Sequence, residues 1–255
     1  MSPDRGATSR HPNVIELQQS TGRRNLRHRS VIWGGSTAAA RPATLTEVET
    51  LDADDPRPSR SGQAPARTVA VVLGAGGGSR FEGPTHKLAA TLDGRPLVRI
   101  SVGTALAADI GPVVVVHGDQ PLPGLDDLTD RLHLAYNPDW AAGQITSVHR
   151  GIAAATELGA DAVVIGLADQ PFVTADAWRA VAASEAPIAV ATYAGRRGNP
   201  VRLHASTWPL LPREGDEGAR AVIRMRPDLV EPVPCTGSAA DIDTLEDLER
   251  WQSKS

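Results

Sequence analysis

Two groups of residues in this chain could do phosphate chemistry, and they lie far apart in the sequence. The first is a glycine run with cations close behind it: Leu73-Gly74-Ala75-Gly76-Gly77-Gly78-Ser79-Arg80, and then Lys87. Glycines let backbone amides approach an anion and adopt positive φ at no steric cost. Arg80 and Lys87 supply charge to match a triphosphate. The second group is carboxylates. Asp169 stands in Leu167-Ala168-Asp169-Gln170-Pro171, and Asp241 and Asp243 open the stretch Asp241–Leu248. An acid at a strand's carboxyl end is placed to hold a hard cation such as Mg²⁺. Each feature also has a plainer explanation. A tight turn accounts for the glycines, and Thr244 with Asp247 forms a capping box for a last helix. The tetrad Gly118-Asp119-Gln120-Pro121 resembles the one around Asp169, a warning against reading either alone.

Two familiar phosphate loops do not fit. No Gly-Lys-Ser/Thr follows the glycines, so this is not a P-loop. Gly74-x-Gly76-x-x-Ser79 lacks the third glycine of the dinucleotide fingerprint, and no acid stands about 20 residues on at a second strand's end. The histidines are scattered without metal-ligand spacing on one helix; for His86, beside Lys87, a plain structural role is preferred to a phosphate contact.

The elements that position these residues can be read from Thr68 onward. Short apolar runs at 69–73, 113–117, 132–136, 162–167 and 187–192 read as strands. Continuous β-branched runs without alternation imply strands covered on both faces. Helices are expected between them: Leu97–Ala108; a stretch with Ile145, Val148, Ile152 and Ala155 on one face; and Asp176–Ser184, capped by Thr174. Strand–helix alternation predicts a Rossmann-like, three-layer α/β/α sandwich with a mostly parallel central sheet. In such a sheet the site lies at the carboxyl ends of the strands.

Composition narrows the function classes. The chain has 255 residues, 41% hydrophobic and 22% charged, enough for a sizeable core. Aromatics are only 4%, which disfavours single-strand nucleic-acid binding by stacking. Residues 1–67 carry 10 Arg against 7 Asp and Glu, whereas residues 68–255 carry 16 Lys and Arg against 23 Asp and Glu. An acidic body argues against nucleic acid as partner. No apolar run approaches the roughly 18 residues of a membrane span. The single cysteine, Cys235, excludes an internal disulfide, and a cytoplasmic location is expected. Residues 1–67 read as a poorly ordered extension, with a Pro- and Ser-rich stretch at 52–62. Arg23-Arg24 precedes an apolar stretch too short and glycine-broken for an export signal. Residues 68–255 form the folded domain.

The combination is more specific than its parts. The glycine loop, Arg80, Lys87, Asn137-x-x-Trp140-x-x-Gly143 with Ser147, and Leu167–Pro171 follow one another in order. Gly198-Asn199-Pro200-Val201, Gly215-Asp216-Glu217-Gly218-Ala219-Arg220 and Asp241–Leu248 continue the series. This series resembles the MobA-like nucleotidyltransferase family, and within it the molybdenum cofactor cytidylyltransferases, over about residues 68–252. Gly74, Phe81, Asn199 and Leu245 depart from the residues usual there, as does the added Glu82–His86 stretch. None removes a charged group.

The resemblance implies transfer of CMP from CTP to the phosphate of a molybdopterin-type cofactor, with release of pyrophosphate. It implies Mg²⁺ held by Asp169 and Asp243, with Asp241 as an additional ligand. Arg80 and Lys87 would bind the β- and γ-phosphates and, with Asp169, form the catalytic set. Leu73 to Ser79 would cradle the nucleotide. Asn137, Gly143 and Ser147 would lie near base, ribose or acceptor, and Asn199 and Arg220 near the acceptor. A molybdoenzyme or its maturation factor is the partner implied. Two other readings stay open: a related transferase with another base or acceptor, such as guanylyl or sugar-1-phosphate transfer, and a non-catalytic chaperone that binds nucleotide or cofactor. Retention of Arg80, Lys87, Asp169 and Asp243 weighs against the chaperone.

Overall fold

The computed structural model describes residues 67–253. The expected extension therefore lies outside the described residues, apart from Arg67.

In chain order the elements are β1 (Thr68–Gly74), β2 (Thr91–Leu92), β3 (Arg95–Pro96), α1 (Leu97–Ala108), β4 (Val113–His117) and β5 (Leu132–Tyr136). Then come α2 (Gln144–Glu157), β6 (Ala162–Leu167), α3 (Ala175–Ala182), β7 (Ile188–Tyr193) and β8 (Arg196–His204). The last are α4 (Arg220–Met225), β9 (Val230–Pro234) and α5 (Leu245–Gln252). One seven-stranded sheet has the order β5-β4-β1-β6-β8-β7-β9. Every strand in it is parallel to β1 except β8, which pairs antiparallel with β6 and β7.

The alternation of side chains along each strand divides the core in two. Val69, Val71, Val114 and Val163 point to the face covered by Ile145, Val148 and Ile152 of α2 and by Val222 and Ile223 of α4. Ala70, Val72, Val115 and Val164 point to the face covered by Val98 and Val102 of α1 and by Trp178 and Val181 of α3. Burial on both faces is why these strands read as unbroken apolar runs. The expected three-layer sandwich and the five expected strands are present, and Thr174 caps α3 by accepting from the Ala177 amide. The sequence reading did not find β8 and β9. Their polar and proline residues at Arg196–Pro200 and Glu231–Pro234 hide the apolar pattern.

A third, smaller core matters most for the site. Phe81, Leu92 and Leu97 pack with Ile242 and Leu248, and the Phe172 ring lies 3.9 Å from that of Trp251. This cluster seats α5 beneath the loop that follows the glycines.

Helix α2 approaches the sheet closely at Gly151, where a Cβ would stand 2.5 Å from Val71 Cγ1. Val71 is fully buried in the central strand and cannot move aside. Gly151→Val is expected to destabilise the fold by about 2–3 kcal/mol through overpacking. The urea midpoint checks this, and an unchanged midpoint would contradict the close approach.

Candidate active site

The site is assembled at the carboxyl edge of the sheet from three segments. The first follows β1: the glycine loop leaves the central strand and returns through a short turn, Lys87–Ala89, whose Leu88 is buried. The second is Asp169, just past the end of β6. The third comes from the far side of the molecule. After β9 the chain crosses the strand ends, and its bonds can be followed one by one. The Cys235 amide donates to Thr192, the Ser238 amide to Phe172, and the Ile242 amide to the Asp169 carbonyl at 3.1 Å. The buried Gln170 side chain donates to the Ala239 carbonyl at 3.0 Å and to Asp241 Oδ1 at 2.6 Å. Asp243 thus arrives beside Asp169, 74 positions earlier in the chain.

Lys87 joins the two. Its Nζ lies 2.6 Å from Asp169 Oδ2 and 2.9 Å from Asp243 Oδ1. The bonded oxygens are therefore no farther apart than the combined length of two hydrogen bonds. Arg80 Nη1 reaches the other Asp243 oxygen at 3.1 Å, from a largely exposed side chain. Burial pulls the Lys87 ammonium down, but the charges and hydrogen bonds of Asp169 and Asp243 outweigh it and hold its pKa above the ordinary value. Burial pushes the Asp241 carboxyl up, and the charges of Asp169 and Asp243 add to the effect.

The capping explanation for Asp243 is resolved by its neighbour. Thr244 is the cap of α5, and its capping box with Asp247 is complete. The Asp243 carboxylate is left to face Lys87.

A cleft of about 570 Å³ opens in front of these groups. Leu73 to Ser79, Lys87, Gly143, Ser147 and Asp169 line it, together with Trp140, Gln144 and Asp216. Trp140 and Asp216 stand in the quoted motifs but were given no role from the sequence, and Gln144 was not singled out. The Trp140 ring lies over Gly77 and Gly118, and its Nε1 donates to Asp119 Oδ2 at 3.1 Å. Tyr136 donates to the other Asp119 oxygen at 2.7 Å. Asp119, whose tetrad served in the sequence only as a warning against reading the one around Asp169 alone, thus holds the cleft's aromatic wall. Asp216 comes over α2 on a loop fixed by the Ile145 amide donating to the Gly215 carbonyl. Asn137 is buried, and its amide donates to Thr146 and Ser147 at 3.0 Å. It braces the start of α2 rather than facing the cleft.

Asn199 and Arg220 lie apart from the glycines. They line a second hollow of about 440 Å³ with Arg197, Arg224, Gln170 and Asp241. Asn199 Nδ2 donates to Gln170 Oε1 at 3.1 Å, so Gln170 ties this hollow to the segment that carries Asp243.

A family comparison matches the MobA-like NTP transferase domain to residues 70–231. The chain belongs to that family. It is 31% identical over 195 residues to the nicotine blue oxidoreductase of Paenarthrobacter nicotinovorans, covering 71% of this chain and 94% of that protein. It is also 31% identical over 194 residues to the purine catabolism protein PucB of Bacillus subtilis (strain 168), with the same shares of 71% and 94%. A solved nucleotidyl transferase from Methanothermobacter thermautotroptrophicus superposes with a TM-score of 0.64 at 22% identity, covering 74% of this chain and 97% of that one. At that identity the superposition establishes the shared fold. No helix among the described residues is long and apolar enough to cross a membrane.

The donor set at the edge fits a hard divalent cation. Asp169 and Asp243 offer carboxylate oxygens, and Asp169 Oδ1 is buried without a hydrogen-bond partner. Among the described residues no three His, Cys, Asp or Glu side chains form a ready cage. Mg²⁺ does not require one, because it is commonly held by one or two carboxylates completed by substrate phosphates.

Lys87→Met removes the cation from between two carboxylates. A loss of about 1–3 kcal/mol is expected, below the value for a fully buried pair because water reaches these groups. Millimolar Mg²⁺ or Mn²⁺ should restore most of the lost melting temperature in the variant and change the wild type little. A variant as stable as wild type, or one indifferent to the cation, would contradict this electrostatic reading.

Proposed function

We propose that the chain transfers CMP from CTP to the phosphate of a molybdopterin-type molybdenum cofactor, releasing pyrophosphate. The observation that carries this reading is the Lys87 ammonium bound to both Asp169 and Asp243 at the rim of the glycine loop. Two carboxylates that would hold a cation and an amine that would bind phosphate meet at one point.

The chemistry follows from the residues. An oxygen of the acceptor phosphate forms the new bond to the α-phosphorus. The bond from that phosphorus to the bridging oxygen breaks, and pyrophosphate leaves with the electron pair. The acceptor is already an anion, so no strong base is needed. The barrier is alignment of two anions and stabilisation of the leaving charge. Backbone amides between Gly74 and Ser79 orient the triphosphate, while Arg80 and Lys87 take up charge on the departing pyrophosphate. Asp169 and Asp243 would hold Mg²⁺, which when bound neutralises phosphate charge, with Asp241 at the edge of the same cluster.

The second hollow suits the acceptor. Arg197, Arg220 and Arg224 offer guanidinium groups for an anion. The Asn199 and Gln170 amides and the Asp241 carboxylate offer both hydrogen-bonding senses, as the edge of a pterin demands. The hand-over of such a product to a molybdoenzyme or its maturation factor in the cytoplasm belongs to the same proposal, as does the assignment of residues 1–67 to an extension outside the catalytic domain.

A second reading rests on the relative named as an oxidoreductase. The glycine loop here lacks the third glycine of a dinucleotide fingerprint, which favours the triphosphate. Pyrophosphate release with each NTP and molybdenum cofactor, run beside NAD(P)H oxidation with dye acceptors, separates the two. We expect CTP to exceed GTP by at least about tenfold in kcat/KM, about 1.4 kcal/mol of transition-state discrimination. Preference for GTP would move the protein to guanylyl transfer. Dye reduction without pyrophosphate would overturn transfer.

Asp169→Asn and Asp243→Asn are each expected to lower kcat by about 10²–10⁴. Because the two carboxylates act as one unit, the double variant should fall well short of the product of the single losses. Mg²⁺-dependent turnover measured beside the melting temperature checks this. A destabilised Asp243→Asn enzyme with normal turnover would remove that residue from the site.

A further inference from the structure

His86 has no role in the chemistry just described, yet its ring is held at both nitrogens. Nδ1 lies 3.3 Å from the backbone nitrogen of Leu88, and Nε2 lies 3.1 Å from the carbonyl oxygen of Gly76. A backbone N–H can only donate, and a carbonyl can only accept. Nδ1 must therefore be bare, and Nε2 must carry the hydrogen. One neutral tautomer satisfies both partners, and a doubly protonated ring loses the Leu88 bond.

The two partners belong to the two parts of the phosphate site. Gly76 is the middle of the glycine loop, and Leu88 lies in the turn that carries Lys87. The ring also lies against the loop itself. Gly78 has φ +61, and a Cβ there would stand 3.2 Å from His86 Nε2 and 3.1 Å from Lys87 Cβ. His86 falls in the Glu82–His86 stretch, so the clasp closes the longer loop between Arg80 and Lys87.

We propose that His86 is a positioning residue that clasps the glycine loop to the Lys87 turn and so sets the shape of the triphosphate cradle. This deepens the nucleotide-transfer reading and rests on it for the identity of the ligand. Burial pushes the His86 pKa below the ordinary 6.5, and the Lys87 charge adds to this, against the Gly76 and Gly77 carbonyls that pull it up. Lys87 is the charged group that acts on the ring. No ionisable side chain occurs from Leu73 to Ser79. A lowered folded-state pKa means that the clasp's stabilisation is fully present above about pH 6.5 and is lost as pH falls through the folded value.

The test uses the full chain in two arms. In the first, imidazole ¹⁵N resonances are followed with pH. We expect the Nε2–H tautomer at neutral pH, with the Gly76–Gly78 and Leu88 amide resonances shifting in step with the His86 titration. An Nδ1–H tautomer, or a His86 titration that leaves those amides unmoved, overturns the clasp. In the second arm, CTP affinity with Mg²⁺ is measured by calorimetry between about pH 5.5 and 8. His86→Asn keeps a side-chain oxygen for the Leu88 amide but does not span to Gly76. It should weaken CTP about three- to tenfold at the upper pH and lessen the acid loss expected of the wild type, leaving the part due to protonation of the terminal phosphate of CTP. His86→Ala should weaken it further. A His86→Asn protein with wild-type affinity and an unchanged acid loss overturns the proposal. Should wild type bind no CTP at any pH, the nucleotide reading fails, and the resonance arm alone decides on the clasp.

Discussion

An ammonium shared by two carboxylates organises this molecule. Asp169 and Asp243 face one another across a gap that Lys87 fills. Two like charges about 5 Å apart repel by roughly 3 kcal/mol at an effective dielectric of about 20. They can be neighbours only with a cation between them, and in this structure that cation is a side chain. The rest of the architecture serves this meeting. Strand β1 delivers the glycine loop, β6 ends at Asp169, and the segment after β9 is bonded across the strand ends until it reaches Asp243. The satellite core of Phe81, Ile242, Leu248, Phe172 and Trp251 keeps that last segment from drifting away.

The two hollows share this centre without mixing their chemistry. The glycine side offers backbone amides and one aromatic wall, and the β8 side offers guanidinium and amide groups. Gln170 connects them. Its amide uses both hydrogens, on the Ala239 carbonyl and on Asp241, and its oxygen accepts from Asn199. A displacement of Asn199 is therefore felt by Asp241, two positions from Asp243. On the proposed reading, such a link lets the acceptor side influence the geometry of the cation ligands.

Much of this was legible from residue types and spacing. The apolar runs of the five expected strands, the Thr174 cap, the Thr244–Asp247 capping box and Asp169 just past the end of β6 follow local rules, whereas Lys87 and Asp243 were joined to one site only through the resemblance and are brought to Asp169 by long-range contacts. What escaped depends on long-range contact. Strand β8 begins Arg196-Arg197-Gly198-Asn199, which reads as a loop because its first residues project past the end of β6 into a polar hollow. Asp119 appeared idle because its partners, Tyr136 and Trp140, lie 17 and 21 positions away. Asn137 read as a nucleotide contact, but the structure turns its amide inward onto Thr146 and Ser147. No periodicity records which way a polar side chain turns.

The reversed strand β8 gives the two halves different histories of assembly. Strand β1 meets its parallel neighbours β4 and β6 through long crossovers, with paired residues 43 and 94 positions apart, and each loop must close before its pairing is rewarded. Strands β7 and β8 form a hairpin whose partners are neighbours in the chain. Arg197 and Asn199 sit on that hairpin, while most of the phosphate cradle does not. A stretch of fewer than twenty residues can thus be exchanged as a cassette, with its own local pairing, while the slow parallel framework is kept. On the proposed reading, the acceptor side can be altered with less cost to the fold than the nucleotide side.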